Sequence, residues 1–173
     1  MSSALRTTDT NDIYIVHEDV MINIRTATSD DIPLLENMYR KEIEDHTERS
    51  QKFAEDLVLR YNTLLAIKDN AVCGSVTWEP RGGLDDGVVE MIGLGVNDAF
   101  KRQGIATRLV NEMIEEATQF YSVKGYLLRV VLLFMEQSNE TARKFYSANR
   151  FKEMAVVQSL YPNDDASIWT RNL

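Results

Sequence analysis

Between residues 105 and 117, apolar side chains recur at Ile105, Leu109, Met113, Ile114 and Ala117 with polar ones between them, the spacing of one buried helix face. Just before this run, "VVEMIGLGV", Val88–Val96, is apolar and β-prone, which predicts a strand interrupted by Gly93 and Gly95. Glycine inside a strand marks a bulge, or a place where a ligand or another backbone comes close. Strand, glycine-bearing turn and helix therefore form one unit around "VNDAFKRQGIATRL", residues 96–109. The strongly apolar "GYLLRVVLLF", residues 125–134, follows as a buried strand reached over that crossover helix.

Upstream, "MINIRTA", residues 21–27, predicts a strand. "TSDDIPLLENMYRKEIEDH", residues 28–46, predicts a helix with Ser or Asp near its cap, acids in its first turn and Pro33 tolerated there. A second helical stretch covers residues 53–61, and "TLLAI", "KDN" and "AVCGSVTW" make a β-hairpin over residues 64–78. "EPRGGLDDG", residues 79–87, reads as a flexible acidic loop. Downstream, "NETARKFYSANR" is a helix capped by Asn139, and residues 151–160 and 166–173 close the chain with strands. Residues 1–12 are polar and read as a tail, whereas "IYIV" at residues 13–16 is β-prone and could be an added strand, ordered against the domain or a second copy. The expected organisation is an N-terminal extension over residues 1–20 and one domain over residues 21–173, without internal repeats.

Composition narrows the picture. A chain of 173 residues, 44% of them hydrophobic, suits one domain and buries roughly 70% of the surface its unfolded form exposes. No apolar run approaches the ~20 residues that span a bilayer, and residues 1–20 lack the basic start and apolar centre of a signal peptide, so a cytoplasmic protein with no membrane partner is expected. Cys73 is the single cysteine, and His17 and His46 are the two histidines, so neither a disulfide nor a metal site is expected. With 27 acidic against 19 basic residues and a net charge of −8, the chain lacks the cationic footprint of a general nucleic-acid binder. A local basic site for a phosphate-bearing small molecule is still compatible with that balance.

The turn at residues 101–107 offers one. A helix N-terminus presents unpaired N–H groups that bind phosphate oxygens, here those of Gln103, Gly104, Ile105, Ala106 and Thr107. Gly104 removes the side chain that would block close approach, and Lys101, Arg102 and Arg108 add charge nearby. An ordinary basic surface turn is the alternative. The stretch is not a Walker loop, and it lacks the G-x-G-x-x-G of a dinucleotide fold.

Here the sequence resembles the GCN5-related N-acetyltransferases (GNAT), whose signature is [QR]-x-x-G-x-[GA]. Lys101-Arg102-Gln103-Gly104-Ile105-Ala106 matches the glycine and the final small residue, with Lys101 in place of Gln or Arg. Lysine keeps the charge and loses planar, bidentate geometry. "LGV" stands just before the signature, and "NETARKFYSANRF" resembles the family's N-x-x-A-x-x-[LF]-Y-x-x-x-G-F, with Arg150 where glycine is usual. The element order β-α-α-β-β-β-α-β-α-β-β, from about Met21 to Leu173, agrees with that family. The resemblance implies an α+β, three-layer fold: a mixed, mostly antiparallel sheet of about seven strands, splayed between the fourth and fifth and flanked by about four helices.

It also implies an enzyme with acetyl-coenzyme A (acetyl-CoA) as donor, its pyrophosphate on the amides of residues 103–107 and its pantetheine arm along Leu94, Gly95 and Val96. Transfer to an amine needs a neutral nucleophile, a stabilised oxyanion and a proton for the departing thiolate. Glu90 matches the glutamate base of some members and lies on the same strand, roughly 13 Å before Leu94 along an extended chain; a water-facing or orienting carboxylate is the alternative. Tyr146 falls on the tyrosine that protonates the thiolate, Asn139 on the asparagine that caps its helix and contacts the cofactor, and a backbone N–H near Leu94 is the expected oxyanion donor.

"SLYPNDDASIWTRNL" resembles the ending of members that acetylate protein N-termini, including ribosomal-protein acetyltransferases, and would place Tyr161 at the acceptor mouth. Where that subfamily reads "LEVRxSN", this chain has "LFMEQSN": Phe134 replaces its glutamate and Glu136 its arginine. Glu90, Glu136, Asp85 and Asp86 suggest a cleft attractive to a cationic amine, or a solvated acidic face. The expected function is an amine N-acetyltransferase acting on a peptide N-terminus or lysine, ahead of a small-molecule amine such as a polyamine or amino sugar. A catalytically silent acyl-CoA-binding regulatory domain is the alternative class. Cys73 is expected to be buried and His46 solvated; Trp78 and Tyr161 either wall the acceptor cleft or pack elsewhere. The exposed final strands leave room for a homodimer.

Overall fold

The computed structural model describes residues 22–173. The expectations for the tail, for a strand at residues 13–16 and for a boundary at residue 20 lie outside the described residues. The strands are β1 (Asn23–Thr26), β2 (Asn62–Lys68), β3 (Ala71–Arg81), β4 (Val88–Val96), β5 (Val130–Glu136), β6 (Lys152–Tyr161) and β7 (Asp164–Asn172). The helices are α1 (Ile32–Glu42), α2 (Thr47–Glu55), α3 (Ile105–Val123) and α4 (Glu140–Ala148). One sheet results, in the order β1-β2-β3-β4-β5-β7-β6, with β4 and β5 the parallel pair and the other neighbours antiparallel.

Alternation along the strands sends side chains to two cores. On one face, Leu64, Val76, Trp78, Val89 and Leu133 pack against the apolar stripe of α3, formed by Ile105, Leu109, Val110, Met113, Ala117 and Tyr121. Each buried Val, Leu, Ile or Met among them stabilises the fold by about 1.5–3 kcal/mol. On the other face, Leu35 and Ala54 of α1 and α2 cover Leu65 and Val72. Three bonds fix α3 on the sheet: the Tyr121 hydroxyl donates to Val88 O at 2.8 Å, the Trp78 indole N–H to Glu116 at 2.8 Å and the Thr26 hydroxyl to the same carboxylate at 2.9 Å. Trp78 is therefore a core residue and not a wall of the acceptor cleft.

Elsewhere the sequence expectations shift. The second helix starts at Thr47, because the His46 side chain accepts the Arg49 N–H and caps it, and it ends in a π-helical turn, Asp56–Arg60. The first helix correspondingly stops at Glu42, after a 3-10 turn at Ser29–Asp31. The loop expected over residues 79–87 is strand as far as Arg81, since β3 keeps its register opposite β4. The strand expected from residue 125 begins at Val130: Gly125 closes α3 with φ +80, and Leu127 is 79% exposed. Cys73 is buried, which pushes its thiol above the ordinary range. Among the described residues no helix is long and apolar enough to cross a membrane.

Candidate active site

The sheet opens between its two parallel strands. β4 and β5 pair at Val88–Val130, Val89–Val131 and Glu90–Leu132 and then separate, although β4 runs on to Val96 and β5 to Glu136. Glu90 is thus the last paired residue of β4, at the apex of a wedge. Beyond it, the backbone of β4 that faces β5 has no ladder partner, an exposed edge inside the protein. β4 also bulges at Ile92, where Thr77 faces Gly93 while Trp78 faces Met91.

On the α3 side, the wedge widens into a groove of roughly 680 Å³. Leu94, Gly95 and Val96 form one wall, and Asn139, Thr141, Ala142, Phe145 and Tyr146 from α4 and its cap the other. Lys101, Arg102, Gly104, Ile105, Ala106 and Thr107 close its end. Arg102 and Gly104 have positive φ, 63° and 75°, so the chain folds tightly into α3 and no side chain caps the helix. Its first intrahelical bond runs from the Arg108 N–H to Gly104 O, which leaves the preceding amides unpaired at the groove. A Cβ at Gly104 would meet nothing within 4 Å, so the space in front of the turn is open.

The basic residues divide. Lys101 Nζ is 2.5 Å from Asp98, and Arg108 turns away to donate to Ile22 O at 3.0 Å. Arg102 lines the groove without a carboxylate partner among the described residues. Gln103 stays outside the lining, its side-chain amide donating to Ala99 O at 3.5 Å. Asn139 caps α4, its Oδ1 accepting the Ala142 N–H at 3.0 Å. Tyr146 sits between Phe145 and Phe151, edge-on to both at 5.2 and 5.5 Å, and burial there pushes its phenol up to about 12.

The opposite face of the wedge is acidic. Arg81 Nε donates to Glu90 Oε2 at 2.5 Å while its Nη1 lies 3.0 Å from Glu79, directly across the β3–β4 ladder from Glu90. Tyr161, at the end of β6, lies near Glu90 and Glu136; burial, reinforced by those two carboxylates, pushes its phenol up. A second cavity, roughly 470 Å³, opens between α1, α2 and β4 and shares Leu94, Gly95 and Val96 with the groove. His46 has no part in either cavity.

Of the residues singled out from sequence, those of the groove converge except Gln103 and Arg108, and Glu90 lies at the apex and not in a cavity lining. Sequence reasoning missed Arg81, whose spacing from Glu90 becomes meaningful only once the β3–β4 register is known. It also missed the groove positions of Phe100 and Phe145, whose aromatic character reads equally well as core. Among the described residues, no group of three or more His, Cys, Asp or Glu could hold a metal ion.

Comparison with known proteins agrees with this architecture. Arabidopsis thaliana NAA60, solved in complex with acetyl-CoA, superposes with a TM-score of 0.69 at 19% identity, covering 88% of this chain and 99% of that one. The ribosomal-protein-alanine N-acetyltransferase of Brucella melitensis gives 0.68 at 20% identity, covering 88% and 100%. A GNAT-family acetyltransferase from Streptococcus pneumoniae gives 0.68 at 18%, covering 88% and 99%. No curated protein matches the sequence. The model of the acetyltransferase (GNAT) family matches residues 31–150, most of the sheet, both helical layers and the glycine turn, and the chain therefore belongs to that family of acetyltransferases.

Proposed function

We propose that the protein transfers acetyl from acetyl-CoA to a primary amine by direct attack, and that the amine is a polypeptide N-terminus or a lysine. The observation that carries the reading is the groove between β4 and α4, which ends on the unpaired amides of α3. The fit to the donor is physical: an uncapped helix N-terminus suits a pyrophosphate, the open space before Gly104 admits it, and Arg102 adds a cation. The unpaired edge at Leu94–Val96 offers backbone partners to an amide-bearing arm and an N–H to a developing oxyanion. NAA60 with bound acetyl-CoA supports the same assignment. When bound, acetyl-CoA supplies an activated thioester carbonyl and a thiolate leaving group.

The residues then divide the proton work. As the C–N bond forms and the C–S bond breaks, the amine must lose one proton and the sulfur gain one. Glu90, at the wedge apex, takes the amine's proton directly or through a water. Tyr146 offers its O–H to the sulfur. A phenol near 12 stays protonated throughout the working range, yet complete transfer to a thiolate of pKa ~8.5 runs uphill by about 5 kcal/mol. Its contribution is thus a hydrogen bond to the developing thiolate, the amine's released proton completing the exchange.

A coenzyme A release assay over peptides, lysine-bearing peptides with blocked N-termini, polyamines and amino sugars tests the proposal. Turnover of a peptide class supports it. Turnover of small amines alone moves the acceptor to that class, and tight acetyl-CoA binding without turnover makes the domain a binding module.

A further inference from the structure

The second cavity says more about the acceptor. Its walls are largely apolar, formed by Met38, Phe53 and Leu57 with the exposed Ile43 and Ile92, while Ser75, Thr77 and Asn97 add polar groups. Gly93 and Gly95 have open space where a side chain would stand, so the bulged edge of β4 leaves this volume free. Ile43, 61% exposed, and Ile92, 40% exposed, stand together at the rim of this one cavity and leave apolar surface there for a ligand to cover. The carboxylates that reach the cavity, Glu42 and Asp98, are exposed, and Asp98 is paired with Lys101. That lining does not suit a polycation. It suits an apolar side chain, and because Leu94–Val96 line both spaces, an amine attached to that side chain can lie beside the donor groove.

The apex chooses between kinds of amine. Glu90 is engaged by the Arg81 guanidinium and is not an uncommitted base. At pH 7 a lysine-type amine of pKa ~10.4 is neutral in only about 1 molecule in 2,500, whereas an α-amine near ~7.8 is neutral in about 1 in 7. Limited basic assistance therefore favours the α-amine. Resting on the acetyltransferase reading above, we infer that the acceptor is the α-amino end of a polypeptide whose first side chain is apolar and occupies the cavity between α1, α2 and β4.

The test is a set of peptides identical except for the first residue, Leu, Met or Phe against Gly, Ser or Asp, with acetylated products located by mass spectrometry. A matched peptide with a blocked N-terminus and an internal lysine completes the set. Because burying one such side chain is worth about 1.5–3 kcal/mol, kcat/KM for the apolar first residues exceeds that for Gly or Asp by roughly tenfold or more. Ile92→Ser and Ile43→Ser, both at exposed positions that the fold tolerates, reduce this preference and leave acetyl-CoA affinity unchanged. Turnover that ignores the first residue, turnover of the lysine peptide instead, or a preference untouched in both variants overturns the inference while the acetyltransferase reading stands. Absence of turnover with every amine overturns that reading itself.

Discussion

Two side chains carry opposite burdens on the two faces of the wedge. Tyr146 is half-buried among aromatic rings, and its phenol, pushed up to about 12, keeps its proton across any pH at which the protein works. Replacing Tyr146 with Phe removes one hydroxyl and no packing, so turnover falls while acetyl-CoA affinity, measured by calorimetry, stays near wild type; unchanged turnover would remove Tyr146 from the reaction. The wild-type profile should likewise show no alkaline limb from this residue below pH ~11. Glu90 lies where β4 and β5 part, and Glu90→Gln should move the pH profile of turnover upward, most of all for a lysine-like acceptor. An identical profile in the variant would rule it out as the base.

At the scale of elements, two helix starts are built differently because they serve different ends. α1 is anchored: Asp31, almost fully buried, accepts both guanidinium N–H groups of Arg25 at 2.7 Å and the Thr28 N–H at 2.8 Å. The Arg25 guanidinium holds its carboxyl down at about 2. A lowered folded pKa gives stability that is complete above the unfolded value near 4 and lost as pH falls through about 2. Asp31→Asn should therefore cost about 2 kcal/mol in denaturant unfolding at pH 6, with the difference vanishing near pH 2. The start of α3 is left bare, at a glycine with φ +75. Gly104→Ala should cost about 1–2 kcal/mol in stability and weaken acetyl-CoA binding by roughly tenfold or more, since the methyl enters the space kept open for the ligand. Retained affinity would place the phosphates elsewhere.

Much of this was legible locally. The apolar run with two glycines gave β4 with both ends in place, and Asn139 was readable as a cap because capping uses contacts three residues apart. What could not be read depends on partners distant in sequence. The Arg81–Glu90 pair exists because a bulge at Ile92 fixes the β3–β4 register, and Arg108 points away from the glycine turn because Ile22 O lies within its reach. The late start of β5 reflects competition for length: Gly125 had first to end α3 and return the chain to the sheet, so Leu127 reaches solvent despite its apolar neighbours.

For the molecule as a whole, one splayed strand pair organises both cavities. The groove lies on the α3 and α4 side and the apolar cavity on the α1 and α2 side, meeting at Leu94–Val96. On the function proposed above, net charge, −8 overall, has little bearing on the donor, because the backbone amides of a single turn would do the binding. Acetyl-CoA at 100 times its Kd should stabilise the fold by about 2.7 kcal/mol, raising Tm by about 5–10 °C in a thermal scan; no shift would exclude it as a ligand. The most direct measurement of the proposed activity follows acetyl from acetyl-CoA onto a peptide that carries a free α-amine, an apolar first residue and an internal lysine. Equimolar coenzyme A release with the acetyl on the α-nitrogen is the expected result of acetyl transfer to an α-amine. Acetyl-CoA bound without release on this peptide or any amine would contradict it.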